Sequence, residues 1–524
     1  MLKKLRVIIA SLFFVLLTLL FLDFTGVLHK WFGLLAKIQL VPAILAINVA
    51  VIISLVVLTI IFGRIYCSVI CPLGIFQDGV SRLATKRKGK KKRFNYSPAL
   101  SWLRYSMLGI FVIAIIAGVS IIVSLFDPYA AYGRMASNSF SPIYRLGHNL
   151  LALFAESADS YAFNSIEVWI KGWMTFGIAV ITLIVVTILA WKNGRTYCNT
   201  ICPVGTVLGF LSKFSFFRIV LDADKCKRCN ACEFGCKASC IDIRTKSIDY
   251  SRCVTCFNCI EKCKSGAIRY TLGTTNNKKK KEYVSENVEK NNIVSQNDDS
   301  KLLAVAADKN NNRNSISRRH ALSIAGAFAV GGTIKAQQQL QADGGLATIE
   351  DKKVPTRETP IVPPGASGLS NMKKRCTACQ LCVSSCPNNV LRPSNKLGTF
   401  MQPEMSFERG YCRPECVECS MVCPTGAISA ITTADKTSIS IGYAVWIKDS
   451  CIVNTDEVPC NSCERHCPTT AITFTDRNPG VRNSLKIPVI NKELCIGCGA
   501  CENLCPSRPF SAIYIEGNVR HHLV

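Results

Sequence analysis

Six groups of four cysteines, out of 29 cysteines in 524 residues, have the spacing of metal ligands. They are Cys226, Cys229, Cys232 and Cys236; Cys253, Cys256, Cys259 and Cys263; Cys376, Cys379, Cys382 and Cys386; Cys412, Cys416, Cys419 and Cys423; Cys451, Cys460, Cys463 and Cys467; and Cys495, Cys498, Cys501 and Cys505. Each is C-x2-C-x2-C-x3-C or a close variant, the corner-by-corner ligation pattern of a cubane 4Fe–4S cluster. Six groups predict six 4Fe–4S clusters, and a row of clusters carries electrons. Zinc is the competing occupant, but it usually takes two C-x2-C pairs across a longer loop. Pro387, Pro424, Pro468 and Pro506 follow the last ligand of four groups, which favours iron–sulfur. The regular spacing also argues against the disulfide framework of a small secreted domain.

In a two-cluster ferredoxin the fourth cysteine of each group ligates the other group's cluster. One cluster then takes Cys226, Cys229, Cys232 and Cys263, and its neighbour takes Cys253, Cys256, Cys259 and Cys236. Among the last four groups two pairings are open: neighbours share ligands, or the outer two groups pair around the inner two. Lys237 and Lys264 stand where the later groups have proline, and a cation there is expected to raise the first pair's potentials.

A second set of cysteines has different spacing. Gly63-Arg64-Ile65-Tyr66-Cys67-Ser68-Val69-Ile70-Cys71-Pro72-Leu73-Gly74 recurs as Gly194-Arg195-Thr196-Tyr197-Cys198-Asn199-Thr200-Ile201-Cys202-Pro203-Val204-Gly205, with eight of twelve positions identical. Residues four apart share a helix face, so each copy presents two thiols together. Cys67, Cys71, Cys198 and Cys202 are therefore candidates for a further metal, for thiol–disulfide cycling, or for packing at a helix end. Arg64 and Arg195 are expected at the cytoplasmic edge of a bilayer. Cys240 is the one cysteine left over and reads as packing.

The elements that must position these residues begin with four apolar stretches of spanning length, near Val7–Leu28, Leu40–Phe62, Leu103–Phe126 and Trp173–Trp191. Each C-x3-C-P copy follows a hairpin of two of them, a sign of duplication. Lys3, Lys4, Arg6 and the Lys86–Arg93 run put the N-terminus and the second loop inside, and the Asp127–Lys171 segment outside. Short β-prone stretches, Ala427–Ile431, Thr437–Val445 and Ala471–Phe474, suit a ferredoxin-like α+β fold. The expected fold class is an α-helical membrane domain (four transmembrane helices, internal duplication) plus two α+β ferredoxin-like 4Fe–4S domains.

The expected organisation is a membrane domain over 1–215, a cytoplasmic two-cluster domain over 216–272, a polar linker over 273–316, and a twin-arginine-like or membrane segment over 317–336. An extended linker (337–370) and a periplasmic four-cluster domain (371–524) complete it. The export-signal reading rests on Ser317-Arg318-Arg319-His320-Ala321-Leu322 and the apolar run through Gly332. The formal charge of +27 is offset by about 12 units if six clusters bind. The basic runs flank apolar spans, so they read as topology signals and exclude nucleic acid as a partner.

The two G-R-x-Y-C-x3-C-P-x-G motifs with the two-cluster domain behind them resemble the membrane component of NapH-type quinol dehydrogenases. The nitrous-oxide-reductase-associated regulatory flavoproteins and an oxidase-assembly ferredoxin family share this layout. From Ser317 onward the chain resembles the NapG/MauM-type periplasmic ferredoxins, so the whole looks like a fusion of two partner proteins. The resemblance implies that the membrane quinol pool is the electron donor and a periplasmic reductase or electron carrier the acceptor. The catalytic residues for quinol are not legible; His29 and His148, both expected near the outer face, are candidates for accepting its protons. The sequence has no C-x-x-C-H haem motif and no glycine-rich nucleotide fingerprint, so a partner must reduce the final substrate. The expected protein is thus a multi-pass inner-membrane iron–sulfur electron-transfer protein. Two other readings stay open: a conduit from a cytoplasmic donor, and an assembly or regulatory protein.

Overall fold

Leucine, isoleucine, valine and phenylalanine fill Leu2–Leu22 and Trp173–Asn193, and each folds as an unbroken 21-residue helix. The computed structural model describes residues 1–23, 26–87, 94–157, 159–160, 164–166, 168–273, 342–343, 347–348, 350–482 and 484–524. These form two units, residues 1–271 with 350–524, and residues 272–349. In the second unit Ala342–Asp343 pairs antiparallel with Ala347–Thr348. The twin-arginine-like stretch Ser317–Gly332 lies outside the described residues.

The helical part of the first unit starts with α1 (Leu2–Leu22). The next expected span is interrupted, as α2 (Leu40–Leu45) and α3 (Val49–Phe62). Ile47 adopts a left-handed φ of 55°, and the Asn48 side chain caps the new helix by accepting from Val51 N at 3.3 Å. The repeated motif follows as α4 (Tyr66–Val69) and α5 (Pro72–Arg87). The third expected span is also broken, into α6 (Ser101–Ala117) and α7 (Ser120–Phe126), because Gly118 ends α6 with a left-handed φ of 71°. Of the four expected spans, the described residues show two as helices of spanning length and two as interrupted helices.

Asp127 and Pro128 then open another helix, α8 (Pro128–Met135), with the Asp127 carboxylate accepting from Tyr129 N and Ala130 N. Every residue of α8 is buried. A π turn at Ala136–Phe140 leads into α9 (Ser141–Ser157). The second long helix is α10 (Trp173–Asn193), and the second motif copy folds as α11 (Thr196–Thr200) and α12 (Pro203–Leu211). Only 28% of the apolar window of α1 and 22% of that of α10 are buried in the protein. Their outward faces carry exposed Ile8, Leu12, Val15, Ile181, Ile184 and Ile188, unlike the polar outer face of a helix in water.

The cysteine-rich parts are short strands and one-turn helices. Each described sheet has two strands. Phe217–Leu221 pairs with Ile268–Leu272 around the first two groups. In the C-terminal part Ile472–Asp476 pairs antiparallel with Lys486–Ile490, and Ile439–Trp446 with Ile513–Leu523. The expected strand at Ala427–Ile431 is irregular; Ser429 N instead donates to Gly365 O at 2.9 Å.

Two sets of contacts fix these parts to the helices. At the start of α1, Lys3 pairs with Glu261 of the second group. Just beyond its end, His29 Nε2 lies 3.2 Å from Ser385 Oγ, beside Cys386. A 21-residue helix rises about 31 Å, so the two cysteine-rich parts meet α1 at opposite ends.

Candidate metal centres

The C-x2-C-x2-C loops owe their shape to a repeated backbone feature. In four groups the residues just before and just after the second cysteine are both left-handed: Arg228 and Asn230, Thr255 and Phe257, Ala378 and Gln380, Gly497 and Gly499. Six of these eight are not glycine, and each such residue costs roughly 1–2 kcal/mol. Strain repeated at the same place in four loops marks a functional constraint. In the Cys253 and Cys376 groups the three sulfurs of the loop line one cavity. The groups with altered spacing, at Cys412 and Cys451, lack this pair among the described residues.

The fourth sulfur comes from elsewhere. Cys376, Cys379 and Cys382 line one cavity with Cys423. Cys412, Cys416 and Cys419 line another with Cys386. Cys451, Cys460 and Cys463 share a third with Cys505, and Cys253, Cys256 and Cys259 share a fourth with Cys236. Cys467 lies within electrostatic reach of Cys495 and Cys498, and Cys263 of Cys232. In these four cavities the last cysteine thus comes from the neighbouring group, and the two remaining contacts agree with the same exchange. Of the two pairings open in the sequence for the last four groups, the structure adopts sharing between neighbours.

The donor set, four thiols of neighbouring groups to a cavity, fits a cluster. All 29 cysteines are free thiols. Among the described residues, no three or more His, Cys, Asp or Glu side chains gather tightly enough for one metal ion. Tetrahedral zinc would require sulfurs about 2.3 Å from a common centre. Backbone N–H groups point at sulfur, as in Ala378 N to Cys376 Sγ and Ile428 N to Cys423 Sγ, both at 3.4 Å.

Several functional neighbours had no sequence signal of their own. Lys436, 4% exposed, donates to the carbonyls of Arg413 and Cys416 beside the Cys412 group. Cys240 packs in the core as expected, but its sulfur also lies 3.5 Å from Cys236 Sγ at the cluster cavity. Lys237 does not point its charge freely at the first pair; its Nζ pairs with Asp78 at 3.6 Å. Lys264 is exposed.

Asp78 on α5 is the hub of the junction at the start of α1. It accepts from Arg6 and from Arg195 Nε at 2.8 Å, besides Lys237. Burial alone would raise its carboxyl, but Arg195, Lys237 and Arg6 outweigh that and hold it well below 3.8. At the same junction Arg64 donates to Asn199 Oδ1 and to Ser251 O, both at 3.0 Å, and Arg104 donates to Ser251 Oγ at 3.0 Å.

The junction beyond the far end of α1 is built on the Cys376 group. Asn138 donates to Gln380 Oε1 at 2.8 Å, Ser137 Oγ meets Ser384 Oγ at 2.8 Å, and Lys171 donates to Val383 O. Of the two histidine candidates, His29 is buried between Asp23, at 3.2 Å, and Ser385. His148 lies partly exposed on α9.

Comparison with known proteins agrees with the donor set. A family model described as a 4Fe-4S binding domain matches twice, over residues 44–91 and 173–220. A 4Fe-4S dicluster domain matches residues 458–508. The ferredoxin-type protein NapF of Escherichia coli K12 is 30% identical over 159 residues, 30% of this chain and 87% of NapF. The methylamine utilization ferredoxin-type protein MauM of Paracoccus denitrificans is 31% identical over 206 residues, 37% of this chain and 84% of MauM. An uncharacterised protein of Methanocaldococcus jannaschii is 28% identical over 276 residues, 52% of this chain and 88% of its own length. No solved structure matches the chain.

Proposed function

Because this chain belongs to the family of ferredoxin-type iron–sulfur proteins that includes NapF and MauM, we propose that it is a membrane-bound electron carrier with six 4Fe–4S clusters. Its donor in this reading is membrane quinol and its acceptor a reductase or carrier on the outer face. The observation that carries it is the recurrent cavity lined by three cysteines of one group and the last cysteine of its neighbour. When bound, 4Fe–4S clusters accept and release single electrons without proton transfer.

The chain's own residues prepare that chemistry. Exchange of the fourth cysteine ties two cavities into one rigid unit and fixes their separation. Cys379, Cys382, Cys495, Cys501 and Cys505 are buried, which keeps water from the sulfurs. Lys436 sets a positive charge beside the Cys412 group, where it favours an added electron.

The exposed apolar faces of α1 and α10 support insertion in a bilayer, and about 31 Å of helix matches a hydrocarbon core of about 30 Å. Lys3, Lys4 and Arg6 at one end of α1 support placing that end and the first cluster pair in the cytoplasm. The C-terminal part, docked at the other end, then faces outward. A cavity of about 220 Å³ lined by Lys37, Asn48, Ser420 and Cys423 suits a quinol headgroup beside the Cys376 group. Its position is at the break between α2 and α3, where Asn48 and Lys37 supply polar groups.

A second reading is favoured by a separate observation. One contiguous buried cluster of side chains includes Cys256 of the first pair, the four C-x3-C-P cysteines, and Cys379 and Cys382 of the outer part. That continuity suits a conduit fed by a cytoplasmic donor. Anaerobic protein in lipid separates the two: menaquinol reduces the clusters under the first reading, and only a soluble reduced ferredoxin does so under the second. If neither reduces them, both fail and the assembly or regulatory role takes their place.

A further inference from the structure

The two C-x3-C-P motifs fold into one interlocked unit. Arg195 Nη1 of the second copy donates to Cys67 O of the first at 2.7 Å, and Arg64 Nη2 of the first donates to Cys198 O of the second at 3.3 Å. Glycine is required at the last position of each motif. A Cβ on Gly74 would stand 2.3 Å from Cys67 O, and one on Gly205 2.2 Å from Cys198 O. Cys67, Cys71, Cys198 and Cys202 are all 3–4% exposed. Cys202 lies within electrostatic reach of the other three.

We infer that these four thiolates, two from each repeat, together hold one additional iron–sulfur cluster between the first cluster pair and the C-terminal part. The inference rests on the reading of the chain as an iron–sulfur electron carrier and adds a centre to it. Each of the two 4Fe-4S binding matches contains only two cysteines, so a four-thiolate site needs both copies.

The surrounding charge calls for an anion. Arg64 is 0% exposed, and no carboxylate pairs with it among the described residues. A buried guanidinium without a counter-charge is costly. Arg64 Nε and Arg195 Nη2 are also buried without a hydrogen-bond partner. Buried donors are almost always satisfied, so two orphans at one place point to an occupant. A cubane with four thiolates carries about −2, which is offset by Arg64 together with the excess of Arg6, Arg195 and Lys237 over the single Asp78 carboxylate.

Donors already converge on the sulfurs. Gln77 Nε2 lies 3.2 Å from Cys198 Sγ, and Gly205 N 3.4 Å from Cys202 Sγ. Arg64 Nη2 reaches Cys67 Sγ and Arg195 Nη1 reaches Cys198 Sγ, each at 3.8 Å. Donors of this kind tune a cluster's potential.

Position gives the site its purpose. On one side Arg195 N donates to Lys237 O at 3.0 Å, next to Cys236. On the other, Tyr129 of α8 lies within electrostatic reach of Tyr66 and of Cys379 and Cys423.

The test uses full-length protein prepared anaerobically in lipid nanodiscs. Iron and acid-labile sulfide are counted, and EPR spectra are followed during stepwise reduction, for wild type and C71S/C202S. We expect the variant to lose about two irons (a rhombic cluster) or about four (a cubane) and one spectral component. Equal iron and identical spectra in the two proteins would overturn the inference, as would a disulfide between motif cysteines in wild type without iron loss in the variant. The absolute wild-type count, by contrast, judges the six-cluster reading, so the two failures are distinct. If C71S/C202S does not fold, Gln77→Leu decides: it keeps the iron and shifts the potential of one component, and no shift anywhere refutes the site.

Discussion

Arg195 spans the repeat interface to Cys67, with its Nη1 2.7 Å from the carbonyl, while its Nε holds Asp78 at 2.8 Å. One side chain thus links the second motif, the first motif and the helix that follows it. The internal duplication is therefore held together by buried charge as well as by apolar packing.

Asp78 is the test of that arrangement. Removing one partner of a buried ionic network typically costs about 3–5 kcal/mol. Asp78→Asn should lower thermal stability accordingly at pH 7 and release Arg6, Arg195 and Lys237. Because the folded carboxyl lies below its ordinary 3.8, its contribution is complete above that value and lost as pH falls below it. Melting curves of wild type and variant should therefore differ from pH 5 to 8 and converge only at strongly acidic pH.

The exchanged cysteines give a prediction about genetic pairing. Cys423→Ser should damage the cluster of Cys376, Cys379 and Cys382, not that of its own group. Combined with Cys376→Ser it should remove no more iron than either change alone. Combined with Cys419→Ser it should remove two clusters. Iron analysis with EPR distinguishes these outcomes.

Lys436 is expected to act on potential without acting on content. Lys436→Met removes a buried cation that touches the Cys416 carbonyl. The cluster of Cys386, Cys412, Cys416 and Cys419 should become harder to reduce, on the order of 60 mV, the equivalent of about 1.4 kcal/mol for one electron. A redox titration showing full iron and an unchanged potential would reject this.

Gly133 tests the junction between α8 and the Cys376 group. A Cβ there would stand 2.5 Å from Cys379 O and 2.8 Å from the Phe21 ring. Gly133→Ala should therefore destabilise the seating of the C-terminal part by about 1–3 kcal/mol. Limited proteolysis in the Gln337–Ser370 segment should accelerate, while iron content stays unchanged.

Cys240 offers a finer probe. Its sulfur lies 3.5 Å from Cys236 Sγ. Cys240→Ala should keep the iron and shift the potential of one centre in the first pair, read by the same titration.

Much of this protein was legible in its residues because ligand chemistry is local. Four cysteines within a dozen positions announce a cluster loop whatever surrounds them, and the duplicated twelve-residue motif announces a repeat. Helix content was also readable from apolar runs, but helix continuity was not. The breaks at Asn48 and Gly118 depend on one cap and one left-handed residue inside otherwise apolar stretches. The buried helix after Asp127 was missed although Asp127-Pro128 is a good N-terminal signal, since the residues behind it resemble a loop between spans. Which of the last four groups lends its final cysteine to which, where Lys237 places its charge, and how Arg64 and Arg195 cross between repeats were settled only by folding. Those are contacts between residues far apart in the chain, and spacing along a sequence carries no information about distances across a fold.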